Sequence, residues 1–341
     1  MMPDRRLHFC IHGAGGLGSL VGGYLAHAGH DVTLVGRAPH VAAIRRNGLR
    51  ITGRRGEIGV RDRLRAVTHP SEVEQGIDYY ILLTKVKDST TALAEAGAIA
   101  ARVQCALTLQ NGIGKEQVLI DCFGAEKVIG GSIIEGATMT APGEVHNHVT
   151  VPVTAYFGEL DGRSSLRTET LATAFCAADL GAQSVANIEH VIWEKAIQVG
   201  GASAWSASTL VGNPALDYWD GLADASGAAH YVQIAKELLA VYGALGYAPQ
   251  NFFAPLSKLK EIDAMPVDKA ISVMVSVGRE HQIAGRTPVR TSMHGDVLAG
   301  RKTEIDVIIK PVLDAARAHG VAAPTLTGAY RTIKTLESYM S

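Results

Sequence analysis

Apolar positions along the chain change their period near its middle. Leu7–His12 is a short apolar run, and Gly13-Ala14-Gly15-Gly16-Leu17-Gly18 opens a helical pattern that continues through Ala28 until Gly29-His30 breaks it. Asp31–Val35 predicts a second strand and Pro39–Arg46 a second helix, while Leu49–Val67 alternates among glycines as a hairpin or meander would. Tyr79–Thr84 and Cys105–Leu109 predict further apolar strands, with an alanine-rich helix near Ser89–Ala101 between them. Strand, helix, strand at this spacing predicts a parallel sheet with crossover helices. From Val128 to Leu160, β-branched residues and the turn signals Pro142-Gly143 and Asp161-Gly162 predict antiparallel additions at the edge of that sheet.

After Asn187 the period becomes helical. Ile188–Ala207, Gly221–Gly243, Val267–Ala284 and Thr303–His319 read as long helices, with few strand candidates between them. At roughly 150 residues per domain, a chain of this length holds about two domains. The expected organisation is an α/β fold: a Rossmann-like dinucleotide-binding domain over residues 1–187, then an all-helical substrate and catalytic domain over 188–341.

Composition removes several classes of function. Thirty-two Lys+Arg against 33 Asp+Glu leave a formal charge of −1, which offers no electrostatic footprint for nucleic acid. No run approaches 18 apolar residues, so no membrane span is expected. Arg5-Arg6 before an apolar stretch ending in Ala26-His27-Ala28 has the outline of a secretion leader, but the glycines from Gly13 to Gly23 spoil its apolar centre. The four cysteines, Cys10, Cys105, Cys122 and Cys176, form no CxxC pair and read as reduced, mostly buried thiols of a cytoplasmic protein. His146 and His148 could share a strand face, but without a carboxylate or cysteine partner no metal site is expected.

The chemistry starts at the first turn. Gly13, Gly15 and Gly18 form GxGxxG between a strand and a helix. The first glycine permits the tight turn, the second lets backbone amides approach a pyrophosphate, and the third lets helix and sheet pack closely. After the second strand the sequence reads Val35-Gly36-Arg37, with no carboxylate between Thr33 and Arg46 to accept from a ribose 2′-hydroxyl. A guanidinium there suits a 2′-phosphate, so NADP(H) is the expected cofactor.

GAGGLG, VGR ending at Arg37, LLTKVKD with Lys85, QNGIG with Asn111, IWEKA with Lys195, SMHGD from Ser292 to Asp296, and TEID with Glu304 occur in one order across nearly the whole chain. In these motifs the chain resembles the ketopantoate reductase (2-dehydropantoate 2-reductase) family. The resemblance implies an NADPH-dependent reductase of a 2-oxo acid. Gly13, Ala14, Gly15, Gly16, Leu17 and Gly18 would then cradle the cofactor, and Arg37 and Lys85 would hold its 2′-phosphate end. Asn111 would lie near the nicotinamide ribose and substrate, Lys195 would be the general acid, and Ser292, Asp296 and Glu304 would position the substrate and its developing hydroxyl. Hydride attack on a ketone builds charge on its oxygen, and a partly desolvated lysine is suited to protonating it.

The chain departs from the family four and eight residues after Lys195, where asparagines usually stand on one helix face. Here those positions are Val199 and Ser203. Losing two amides that serve the substrate's oxygens implies a carbonyl substrate less polar than ketopantoate, with Val199 and Trp205 as candidates for a more apolar wall. Three alternatives remain open. The substrate could be a ketone or alcohol lacking a carboxylate, the protein could bind NADP without chemistry, and Asp296 and Glu304 could be surface carboxylates paired with Arg301 or Lys302. The C-terminal helices could support a homodimer, although no heptad or exposed stripe marks an interface.

Overall fold

The computed structural model describes residues 5–283 and 289–340. The chain divides into two compact units, Met1–Val191 and Ile192–Ser341.

The first unit begins β1 (His8–His12), α1 (Gly16–His27), β2 (Asp31–Val35), α2 (Ala38–Asn47). The hairpin β3 (Leu49–Gly53) and β4 (Ile58–Val60) comes next, then β5 (Leu64–Val67), β6 (Ile77–Leu82), α3 (Ser89–Ala96) and β7 (Val103–Thr108). After α4 (Gln117–Phe123) come β8 (Gly130–Ile133), β9 (Gly136–Ala141), β10 (Glu144–Val149) and β11 (Ala155–Gly158), then α5 (Leu166–Ala177) and β12 (Ala182–Ser184).

Five of these strands form a parallel sheet in the order β5-β2-β1-β6-β7. Its strands are apolar on both faces, as helix-covered parallel strands must be. Phe9, Ile11, Leu34, Ile81 and Leu107 enter one core cluster, while Cys10, Val35, Tyr80, Leu82 and Ala106 enter the other. The chain leaves β1 on one side for β2 and later returns to the other side for β6. Strand order therefore reverses at β1, and open parallel sheets bind ligands outside the carboxyl ends of such strands.

Two expectations for this unit are corrected. Of the hairpin or meander expected over Leu49–Val67 the hairpin forms, as β3 and β4, but it does not extend to Val67: Arg63, at a positive φ of 60°, turns the chain so that β5 joins β2 in the parallel sheet. Nor do the strands after Val128 extend the edge of that sheet. β9 and β10 complete a separate sheet, β4-β3-β10-β9, while β8, β11 and β12 make a third, β12-β11-β8. The cause lies in α1, whose glycines clear space on two sides. A Cβ on Gly22 would stand 2.6 Å from Leu34 Cδ2 of the parallel sheet, and one on Gly23 would stand 2.4 Å from Ile51 Cδ1 of the second sheet. β9 and β10 pack against this helix instead of lengthening the first sheet. The helix α5 and the strand β12 have no counterpart in the sequence expectations.

The second unit is helical: α6 (Ile188–Thr209), which starts just before the division, α7 (Tyr218–Ala223), α8 (Ala225–Ala244), α9 (Leu259–Ala264) and α10 (Val267–Ile283). It continues with α11 (Ser292–Leu298), α12 (Ile305–Ile308), α13 (Lys310–Ala318) and α14 (Pro324–Glu337). Two of the expected long helices are broken. Gly221–Gly243 is interrupted at Asp224, whose carboxylate accepts from the amides of Ser226 and Gly227 and starts α8 afresh. Thr303–His319 divides at Ile309 because Pro311 has no amide to continue the ladder of α12. Ala284, the expected end of the α10 pattern, lies outside the described residues.

Among the described residues no helix is long and apolar enough to cross a membrane. Cys10 and Cys105 are buried, and burial pushes each thiol up to about 12; Cys122 is half-buried, and Cys176 lies exposed on α5.

Candidate functional site

The GxGxxG turn occupies the carboxyl end of β1. Gly13 has φ +117°, and its amide and that of Ala14 both donate to the Val35 carbonyl, at 3.0 and 2.9 Å. A Cβ on Gly13 would stand 2.3 Å from the Leu83 carbonyl carbon, and one on Gly18 would stand 2.1 Å from the Gly13 oxygen. Gly16 is crowded too: a Cβ there would meet the Ala137 carbonyl of β9. Gly15 differs: nothing lies within 4 Å of its hypothetical Cβ, and it is exposed. Ala14 is buried beneath the turn and Leu17 half-buried.

Three glycines are thus spent on packing, while the fourth faces open space at a helix start. The amides in the first turn of α1 have no acceptor within the helix. No acidic side chain occupies that turn, and no side chain caps it. This arrangement fits a pyrophosphate: donors, a favourable dipole and room for close approach.

The other candidates of this unit lie just beyond the neighbouring strands. Arg37 stands at the N-cap position of α2, exposed and with no ion-pair partner among the described residues. Lys85, also exposed, comes after β6 and precedes a short 3-10 turn over Val86–Asp88. Asn111 is half-buried three residues beyond β7, in a loop where Gly112 and Gly114 take φ of +115° and +71°. The parallel sheet therefore brings the glycine turn, Arg37, Lys85 and Asn111 to one edge.

Two residues that the sequence reading passed over organise this edge. The Gln110 side-chain amide donates to the Thr84 carbonyl at 2.7 Å and to Ser89 Oγ at 2.9 Å, joining the loop after β7 to that after β6. The Lys115 Nζ donates to the carbonyls of Thr108, Gln110 and Gly131 at 3.3, 2.9 and 2.6 Å. Burial holds this ammonium below the usual lysine range, against the opposing pull of Glu116 beside it; burial likewise raises the Glu116 carboxyl. The available signal was a Lys-Glu pair after a glycine-flanked loop at a strand end, where charges are not ordinarily buried.

In the helical unit Lys195, Val199 and Ser203 share one face of α6, four residues apart. Lys195 is 7% exposed, Val199 is half-buried, and Ser203 is 1% exposed. Next to Lys195, the buried Glu194 carboxylate accepts from the amides of Gln250 and Phe252 at 2.7 and 3.0 Å, which fixes this turn of α6 to the segment after α8. Further along α6, Ser206 Oγ and Thr291 Oγ1 are 2.9 Å apart, and Thr291 caps α11. That bond ties α6 to the helix whose first residue, Ser292, is exposed. Asp296, at the far end of α11, pairs with Arg301 at 2.7 Å, and Glu304 stands half-buried at the N-cap position of α12. Trp205 is fully buried, donates to the Gly227 carbonyl at 2.9 Å and packs edge-on against Tyr218 and Tyr231. It is core, which leaves Val199 as the remaining candidate for the expected apolar wall.

Profiles of known families match both units. The profile described as ketopantoate reductase PanE/ApbA matches residues 9–162, and its C-terminal companion matches residues 187–337. The chain belongs to the ketopantoate reductase family. It is an oxidoreductase, 31% identical over 318 residues to the 2-dehydropantoate 2-reductase of Pyrococcus abyssi, with 92% of each chain covered. The solved 2-dehydropantoate 2-reductase of Methylococcus capsulatus superposes with a TM-score of 0.76 at 29% identity over 97% of each chain. A D-mandelate dehydrogenase, solved with NADH and anilino(oxo)acetate, shares the fold with a TM-score of 0.72 at 23% identity over 97% of this chain and 99% of its own.

His146 and His148 both lie exposed on β10, and His146 Nδ1 is 3.1 Å from Thr52 Oγ1. Among the described residues no group of three or more His, Cys, Asp or Glu is placed to hold a metal.

Proposed function

We propose that this ketopantoate reductase relative is an NADPH-dependent reductase of a 2-oxo acid whose side chain is less polar than that of ketopantoate. The observation that carries the cofactor half is the open backbone at Gly15 together with an exposed Arg37 that has no ion-pair partner among the described residues. A guanidinium in that place contacts a 2′-phosphate with two parallel donors. Lys85, exposed after β6, is the second cation for the same end.

When bound, the reduced dinucleotide supplies a hydride to the ketone carbon. The residues of this chain manage the resulting charge and hold the reactants in place. Lys195 Nζ donates a proton to the ketone oxygen as charge develops there. Glu304 and Ser292 orient the carboxylate and the nascent hydroxyl, Asn111 holds the nicotinamide ribose and substrate, and Asp296 steadies α11 through Arg301. Val199 replaces a hydrogen-bonding amide with a methyl surface, and the buried Ser203 offers only a short hydroxyl. Both changes favour an apolar side chain on the substrate. The anilino(oxo)acetate in the mandelate dehydrogenase structure is a ligand of that kind.

The test is NADPH oxidation with 2-oxo acids of graded side-chain size and polarity, from ketopantoate to phenylglyoxylate, alongside ketones lacking a carboxylate. The expected result is higher kcat/KM for the apolar 2-oxo acids than for ketopantoate. Activity confined to ketones without a carboxylate overturns the 2-oxo acid assignment, and tight NADPH binding without turnover on any carbonyl overturns the reductase assignment.

A further inference from the structure

An ammonium group loses hydration when it is buried, a cost that only close, well-directed partners offset. Lys115 is such a group. Its side chain is 6% exposed, the neighbouring Glu116 carboxylate is 4.0 Å away, and its three donors go to main-chain carbonyls instead.

Those carbonyls come from separate places. Thr108 ends β7, Gln110 immediately precedes Asn111, and Gly131 lies in β8. The bond to Gln110 closes the six residues from Gln110 to Lys115 into a ring whose covering residues, Gly112 and Gly114, take backbone angles that other residues resist. Beyond that ring, the ladder between β7 and the segment leading to β8 is, among the described residues, the isolated bridge from Ala106 to Val128, with the side chains of Leu107 and Leu109 packed on Gly131. Gln110 fastens the other side of the same loop to Thr84 and Ser89.

We propose that Lys115 is a positioning residue for the nicotinamide half of the cofactor site: its ammonium clamps the loop that presents Asn111, while the adenosine half is held independently at Gly13–Gly18 and Arg37. This rests on the role of Asn111 given under the proposed function. Misplacement of a reacting group by about 1 Å costs on the order of 10²-fold in rate, so a loosened loop lowers turnover without loosening the adenosine end.

The experiment compares Lys115→Met with wild type and with Lys127→Met, which removes a lysine bonded to the carbonyl of Ala100. Three quantities are read: kcat on the best substrate, the Kd of 2′,5′-ADP, and hydrogen exchange of the amides from 110 to 115. The expected result for Lys115→Met is a roughly 10- to 100-fold fall in kcat, faster exchange confined to that loop, and a 2′,5′-ADP Kd within about twofold of wild type. Lys127→Met leaves all three unchanged. Unchanged kcat and loop exchange in Lys115→Met overturn the proposal, as does a parallel loss of 2′,5′-ADP binding, which marks a general structural role. If Lys115→Met does not fold, Lys115→Gln, which keeps a shorter neutral donor, is judged by the same criteria. Asn111→Ala separates the two layers: if it turns over at the wild-type rate, the role of Asn111 fails whatever Lys115 does.

Discussion

The two units build their candidate chemistry from different materials. In the α/β unit the candidate site is framed by the backbone, with amides at the start of α1, glycines that make way and loops at one sheet edge, and Arg37, Lys85 and Asn111 are set around that frame. In the helical unit it consists of side chains spaced along α6 and at the starts of α11 and α12. A backbone site tolerates almost no change in shape yet is indifferent to many side chains. A side-chain site keeps its shape and loses its chemistry one group at a time. Substitutions should therefore separate folding from function differently in the two units.

The largest effect is expected in the helical unit. Lys195→Ala should lower turnover by about 10²–10⁴-fold, while Kd for NADPH and thermal stability change little. Turnover at the wild-type rate would remove Lys195 from the mechanism and with it the contrast.

Next comes the frame of the backbone site. His12 ends β1 just before Gly13, buried, with Nδ1 2.8 Å from the Tyr80 hydroxyl. Burial, reinforced by His69, lowers its pKa from 6.5 to about 4. The folded state thus binds this proton less readily than the unfolded chain does. Its contribution to stability is complete above pH 6.5 and is lost as pH falls towards 4, by about 3 kcal/mol at most. Urea unfolding should show that decline, and His12→Gln should flatten it. An equal slope in the variant would place the acid sensitivity elsewhere.

Arg37→Asp is expected to weaken NADPH by roughly 10- to 100-fold, the worth of a charge-assisted contact, while NADH binding changes less. Equal losses for the two coenzymes would show that Arg37 does not read the 2′-phosphate. The smallest and sharpest comparison is between two glycines of one motif. Gly18→Ala forces a methyl against the Gly13 oxygen and should cost about 1–3 kcal/mol of stability. Gly15→Ala meets nothing and should fold normally, losing only nucleotide affinity by about tenfold. A thermal melt and a binding titration on each variant decide it.

Much of the first unit was legible because its signals are local. An apolar strand, a glycine turn and a helix are each a few residues long, and Asp31–Val35 is a strand over the same residues that the apolar pattern marked. The carboxyl-edge candidates were legible for the same reason, since each comes just after a strand. What was not legible depends on contacts remote in sequence. The pairing of β10 with β3 joins residues nearly a hundred apart, and the need for it shows only when Gly22 and Gly23 are seen to face different sheets. Trp205 could not be told from a substrate wall until its indole was found bonded to Gly227. Lys115 looked like one more loop lysine because the three carbonyls that surround it come from two strands and a turn.

The helix that follows the glycine turn is gripped from both flanks, by Leu34 on one and Ile51 on the other. Anyone redesigning coenzyme preference will therefore find no slack along Gly16–His27, where even a methyl has nowhere to go at several steps. The adjustable ground is the solvent-facing stretch Arg37-Ala38-Pro39, where a library of charges and lengths can be sampled without disturbing the scaffold beneath.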